Sequence, residues 1–460
     1  MKIYRFEGLL QGKKWIEPAY VTVSKNGKIK SIEGSYSGSQ PIYNLQGYAL
    51  PSFQNAHSHA FQYAMAGLAE RHSTKDKADD FWSWREAMYA LALKIEPEQL
   101  EAIATMLYSE MLRHGYTHVA EFHYLHHDTK GEPYENLAEM GQRLVNAAKK
   151  AGINITLIPI FYQKGGFGKE PLEHQRRFIS SSVEDYIQLL EASELACATY
   201  KGARLGIGIH SLRGVEGEAI KEIAEYNKTK KLPFHIHISE QLKEVEECLA
   251  FYGKRPVEWL LDNVNVDENF HLVHATHLTV DEVERLAKTK ANVVLCPSTE
   301  GNLGDGIFPL IEFQKNGGNW SIGTDSHVGL NPLEELRLLD YGQRLISHKR
   351  NVFFDKNEGD SALYALEKSY YSGAKAMGRK VNSFVEVGKK FNATIYKKNS
   401  PLLSVTTAQN RACTILYSSD ASIQLATFSR GKLVSYKGEH RKQEQITEAF
   451  KATMQELGNR

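Results

Sequence analysis

Two histidines one residue apart, His57 and His59, follow the apolar lead-in Tyr48-Ala49-Leu50 in the stretch FQNAHSHAFQ. Side chains alternate along a strand, so the two imidazoles would face the same way and could chelate one ion. His237 in PFHIHISE and Asp325 in WSIGTDSH would complete a set of three nitrogens and one oxygen. Neutral imidazole and carboxylate are good zinc donors, and a mononuclear catalytic site keeps one position for water. Taken alone, an HxH pair is as readily two hydrogen-bonded histidines, and His237 or Asp325 is more readily structural. The four together, each at the end of an apolar run, make the metal site the stronger reading. His235 also forms an HxH with His237, but one pleat deeper, where a packed and hydrogen-bonded histidine is expected. One ion cannot use His123, His126, His127, His271 and His277 as well, so these read as structural or supporting.

What must position such a set is a scaffold of alternating strands and helices. Eight short apolar runs recur, separated by helical patterns: YALPSFQNAHSH, YTHVAEFHY, ITLIPIFY, RLGIGIHSL, PFHIHISE, FHLVHATH, NVVLCPSTE and WSIGTDSH. Strands alternating with helices imply a parallel sheet, and eight units are the count of a (β/α)8 barrel. Nearly every run ends in polar residues: Glu121 and Tyr124, His210, His237 and Glu240, His274 and His277, then Asp325. Barrel active sites are built at that end of the strands. The expected organisation is a catalytic barrel over 49–378, flanked by segments 1–48 and 379–460 that pair into a small β-sandwich domain. AYVTVSKNGKIKSIEG alternates around Asn26-Gly27, a hairpin signal, and NATIYKK, ACTILYSSD and SIQLATFSRGKLVSYKG read as further strands before a closing helix near 442–457.

The chain has 460 residues, 42% hydrophobic and 24% charged, with a formal net charge of +1. That is ample apolar material for a large core. No segment is a dense Lys/Arg stripe, which argues against nucleic acid and anionic membrane surfaces as partners. No stretch approaches 18 uninterrupted apolar residues, and the first residues carry no signal-peptide pattern. The four cysteines (197, 248, 296 and 413) are far apart and form no CxxC, a pattern suited to a reducing cytoplasm.

HxH on the first strand, His on the fifth and sixth and Asp on the eighth resemble the mononuclear deaminase branch of the amidohydrolase superfamily. HSHAFQYAMAGLAE, FWSWREAMY, AEFHYLHHD, HSLRGV, HIHISEQLKEVEEC, LVHATH, STEGNLGDGIFP and GTDSHVGLNPLEELRLLDYGQR together are similar to the formimidoylglutamate deiminase family, in register over about residues 45–350. Tyr63 stands where that family often has Arg. Two-metal relatives bridge their ions with a lysine on the fourth strand, and RLGIGIHSLRG has none. The resemblance therefore implies one divalent ion per chain, zinc first and iron or manganese as substitutes, held by His57, His59, His237 and Asp325. It implies hydrolysis of N-formimidoyl-L-glutamate to N-formyl-L-glutamate and ammonia, a step of histidine degradation, by a cytoplasmic homodimer.

Within that reading Glu240, three residues after His237, is the proton shuttle. His274 polarises the attacked centre or stabilises the tetrahedral intermediate, and Asp325 both binds metal and orients water. Glu240 read alone is as readily a helix N-terminal carboxylate. A glutamyl substrate has two carboxylates, which call for guanidinium forks. Arg85 and Arg213 lie after the first and fourth strands on the right side of the barrel, and the resemblance adds Gln62, Tyr124 and His210 as neutral donors. Trp82 and Trp84 read as packing. Two other readings stand beside this one: a sister deaminase acting on a purine, pterin or triazine, which needs a flat aromatic slot, and a non-catalytic barrel used as a scaffold.

Overall fold

A computed structural model describes residues 1–70, 81–354 and 359–458. All eight expected runs are strands of one parallel sheet: Phe53–Ser58, Tyr116–His123, Asn154–Phe161, the split pair Ala203–Leu205 and Ile207–Ile209, Phe234–Ile238, Phe270–His274, Asn292–Leu295 and Asn319–Ile322. A parallel bridge between Ser58 and Asp325 joins the last strand's end to the first and nearly closes a barrel. Its strands are buried along almost their whole length, which is why they read as apolar runs rather than alternating ones. Gly323 makes this seam possible. A Cβ there would lie 2.8 Å from His57 Cβ and 2.9 Å from its backbone nitrogen.

Helices cover the barrel, among them Pro97–Arg113, Glu139–Ala151, Val183–Ala198, Gly217–Lys230, Pro332–Ser347 and Ser361–Ala376. Glu139–Ala151 buries Leu144, Val145, Ala148 and Ala151 and ends on Gly152 in the left-handed region, a glycine stop after Lys149 and Lys150.

The chain ends form a second, nine-stranded sheet. Ile42–Pro51 lies parallel to Lys2–Gln11 and antiparallel to Ala393–Lys397, which joins the two termini. The Asn26-Gly27 hairpin pairs Ala19–Val23 with Ile29–Glu33, and Gly27 has φ +79°. A Cβ on Gly27 would collide with the carbonyl of Arg430, so the N-terminal hairpin and the 429–432 turn pack backbone to backbone. One expected strand is absent. ACTILYSSD lies largely in a helix, Arg411–Ser418, that buries Ala412, Ile415 and Leu416. That is an i, i+3, i+4 face, and a mixed apolar run this short fits either period. The closing helix is Gln443–Glu456, which packs on Pro97–Arg113 with Gln99 donating to Glu456 at 3.2 Å. All four cysteines are free thiols, and no described helix is long and apolar enough to cross a membrane.

Candidate active site

The first strand delivers His57 and His59 to one point. Their Nε2 atoms lie 3.1 Å apart, and His237 Nε2, from the end of the fifth strand, is 3.0 Å from that of His57. Asp325 Oδ1 lies 3.2 Å from His59 Nε2 and 3.5 Å from His57 Nε2. The four donor atoms are all within 4.8 Å of one another, and all four residues are buried. The backbone sets their direction. His59 Nδ1 donates to the carbonyl of Phe122 at 2.9 Å and His237 Nδ1 to that of His210 at 3.2 Å. Each bond leaves the Nε2 lone pair aimed inward, the tautomer a ligating histidine requires. Burial, reinforced by His59, pushes His57 down to about 3, and burial with repulsion from His57 puts His237 well below its usual value. Burial opposes charge on Asp325, but the adjacent His57 and His59 imidazoles hold it well below the usual carboxylate range. Neutral imidazoles around an ionised carboxylate are the donor set of a divalent cation, and the residues fit one.

Asp325 (φ +43°), His274 (φ +69°), Ala275 (φ +50°) and Ser239 (φ +51°) are non-glycine residues in the left-handed region, gathered where the strands end. Strain of that kind, of order 1–3 kcal/mol each, persists only where the surroundings enforce it. Supporting carboxylates do so here. Glu121 accepts from the Ala60 amide at 2.6 Å and the Ser58 hydroxyl at 2.7 Å, pinning the chain on both sides of His59; burial pushes it up to about 7. Glu244 accepts from the amides of Ser239 and Glu240. Glu300 accepts from the Cys296 amide at 2.8 Å and from His274 Nδ1 at 3.2 Å.

Glu240 Oε2 accepts from Arg213 Nη2 at 3.2 Å, and its Oε1 lies 3.7 Å from His274 Nε2. His274 Nε2 is 3.7 Å from Asp325 Oδ2. Burial alone would lower His274, but Glu240 and the hydrogen bond to Glu300 raise it to about 10. His274 thus bridges the proton-carrying candidate and the metal group.

Above these residues lies a narrow cleft of about 50 Å3. His59, His237, Asp325, Glu240 and His274 meet it from below, with His57 buried beneath. Gln62, Arg85, Tyr124, His210 and Arg213 form part of its wall, so every residue singled out from the sequence converges on one place. Gln62 Nε2 donates to the Tyr124 hydroxyl at 3.0 Å, and Gln62 Oε1 has no partner. Arg85 stacks over Trp82 at 4.5 Å and Tyr89 at 5.4 Å. Among the described residues the buried Nε atoms of Arg85 and Arg213 have no hydrogen-bond partner, though Arg213 Nε lies 4.0 Å from Glu244 Oε2.

Other placements depart from or extend the sequence reading. Trp84 and Phe81 line the cleft rather than only packing. Glu300, Glu244 and Asp305 were not singled out. Asp305 is held by Gln241, and burial with the nearby Glu240 pushes it up to about 9. The STEGNLGDG stretch was the available signal for Glu300 and Asp305. His235 donates to the Ala376 carbonyl at 2.8 Å, and His126 and His127 bond the carbonyls of Ile160 and Ile179, all away from the metal group.

Comparison with known proteins agrees with this geometry. The amidohydrolase family profile matches residues 48–434. A formimidoylglutamate deiminase from Pseudomonas aeruginosa is 40% identical over 96% of both chains. A 5-methylthioadenosine/S-adenosylhomocysteine deaminase from Thermodesulfovibrio yellowstonii is 24% identical over 91% of this chain and 89% of its own. Among solved structures, an amidohydrolase from Brucella melitensis superposes with a TM-score of 0.92 at 38% identity, covering 99% of this chain and 100% of its own. An atrazine chlorohydrolase from Arthrobacter aurescens TC1, complexed with zinc, shares the fold alone, with a TM-score of 0.81 at 19% identity over 99% of this chain and 100% of its own.

Proposed function

The chain belongs to the amidohydrolase family, and we propose that it is the member that hydrolyses N-formimidoyl-L-glutamate to N-formyl-L-glutamate and ammonia. The observation that carries the choice of substrate is the pair of arginines, Arg85 and Arg213, whose buried Nε atoms lack partners in the wall of the cleft. Two carboxylates would complete these forks, and a neutral heterocycle would leave Arg85 without a carboxylate.

His57, His59, His237 and Asp325 hold one divalent ion, zinc in this reading, as in the zinc-bound neighbour from Arthrobacter. Such an ion supplies Lewis acidity, which makes water a competent nucleophile at neutral pH. The chain's own residues do the rest. Glu240 takes a proton from the attacking water and gives it to the imine nitrogen, then takes the remaining hydroxyl proton and passes it to the same nitrogen as the C–N bond breaks, so that ammonia leaves and the formyl oxygen remains. Arg213 holds Oε2 of that carboxylate and so directs Oε1 toward His274. His274, fixed through Nδ1 by Glu300, presents Nε2 to the charge that develops on the substrate carbon's substituents. Arg85 and Arg213 grip the glutamyl carboxylates, with Gln62, Tyr124 and His210 as neutral partners. The enzyme works as a cytoplasmic homodimer in this reading.

The cleft wall also carries Phe81, Trp84, Tyr89, Tyr162 and Phe178, which would suit a flat ring, so a purine, pterin or triazine deaminase is the second reading. Ammonia release by zinc-loaded protein decides between them. Turnover of formimidoylglutamate with none of guanine or adenosine supports the deiminase. Turnover of either ring compound alone overturns it.

A further inference from the structure

A cavity of about 440 Å3 lies at the opposite end of the barrel from the cleft. Its floor is made by strand beginnings: His118 near the start of the second strand, Asn154 and Thr156 at the start of the third, and Arg204 at the start of the fourth. The segment after the last barrel helix supplies Arg379, and the C-terminal sheet supplies Arg430. Eight lysines and arginines line this cavity against one carboxylate, Glu386, in a chain whose net charge is only +1.

How the guanidinium groups are held is the informative part. Arg379 Nη1 donates to the side-chain oxygen of Gln54 at 2.6 Å. Arg430 Nη1 donates to Asn154 Oδ1 at 2.8 Å and to the Lys201 carbonyl at 3.2 Å. These acceptors are neutral, so the arginines are oriented without being neutralised. Among the described residues Arg204, Arg379 and Arg430 form no ion pair with a carboxylate. The repulsion is felt nearby: burial and then Arg379, Arg204 and Arg430 hold His118 well below its usual value, and burial with Arg430, Lys28 and Lys201 lowers Lys390, while Tyr370 and Glu386 offset part of it at Arg379. Glu386 accepts from the amides of Asn382 and Ser383, both at Oε1.

We propose that this cavity is a binding site for a small multivalent anion bearing phosphate or carboxylate groups. Planar forks held in fixed directions around a common space are the geometry that reads both kinds of oxyanion bidentately. His118 lies at the floor, and the exposed Lys28 and Lys389 close the rim as point charges. The anion would tie the beginnings of three barrel strands to the C-terminal sheet.

The test is calorimetric titration of the full-length, metal-loaded protein, with sodium phosphate in one arm and tricarballylate in the other. Saturable binding of either supports the site, and the arm that binds tells phosphate from carboxylate. Arg379→Gln combined with Arg430→Gln should weaken that binding by roughly 10–100-fold. Because Arg379 and Arg430 also bridge segments, Lys28→Gln with Lys389→Gln on the exposed rim is the second variant and should weaken binding several-fold. Phosphate should raise the melting temperature of wild-type protein beyond what sodium chloride does at equal ionic strength. Absence of saturable binding in both arms overturns the proposal. So does undiminished binding in the rim variant.

Discussion

The two ends of one barrel treat charge in opposite ways. Where the strands end, charges are matched before any ligand arrives: Arg213 with Glu240 and His274 with Glu300. Where they begin, Arg379 and Arg430 lean on amide and carbonyl oxygens and their charges stand unanswered. A buried ionised group must be paired or it shifts its pKa and neutralises. The strand-end cleft is deep, so it needs internal pairing to keep Glu240 and Asp325 in place. The strand-start cavity opens toward solvent at its rim, where water and salt carry part of the penalty. Matched charges give a site ready for chemistry; unmatched ones give a site ready for an anion.

The largest test of that contrast is removal of the metal group. His237→Ala should lose bound metal by elemental analysis and drop ammonia release from formimidoylglutamate to the assay floor, yet keep its phosphate response at the far cavity. Undiminished metal in this variant would remove His237 from the ligand set. Next in size is Glu240→Gln. Glutamine keeps the volume and can still accept from Arg213, but it cannot carry a proton. It should retain metal while kcat falls by about 10²–10⁴. Near-normal turnover would move the proton transfer elsewhere, with His274 the first candidate.

The arginines come third. Arg85→Met and Arg213→Met should each lower kcat/KM by tens- to hundreds-fold, roughly 2–4 kcal/mol, with metal content unchanged. They should differ in kind. Arg213 also orients Glu240, so its loss should lower kcat as well, whereas Arg85 touches no catalytic group and should act mainly through KM. Equal effects on both parameters in both variants would break that distinction.

The two ends were also unequally legible in the sequence. The eight strands were readable because barrel strands buried on both faces are continuous apolar runs, and the site residues were readable because each sits at the polar end of one. His57, His59, His237 and Glu240 lie within two short segments, and period two puts both histidine pairs on shared faces. Glu300 and Glu244 were not readable as supports, because their contacts are with backbone amides that converge only after folding. Arg411–Ser418 was misread because its apolar run fits both periods. The strand-start cavity was invisible: no segment is densely basic, and Lys28, His118, Arg204, Arg379 and Arg430 come from five separate stretches. Charge density there is a property of the fold, not of any window of the chain.

The smallest expected effect has the opposite sign to all the others, and so tests the contrast most sharply. At the strand ends, removing a charge should damage the enzyme. At the strand starts, removing one should stabilise the fold. Lys201 is exposed at the cavity, and its charge contributes to lowering Lys390. Lys201→Gln keeps most of the side chain and deletes one of several mutually repelling cations. At low ionic strength, where charges interact over about 30 Å, the variant should be more stable to urea by about 0.3–0.5 kcal/mol. At 1 M salt the screening length falls to about 3 Å and the gain should vanish. Millimolar phosphate should shrink it too, because a bound anion relieves in wild-type protein the same repulsion the substitution removes. A destabilised variant at low salt would mean that these cations are already compensated, and the two ends of the barrel would then not differ in the way their side chains imply.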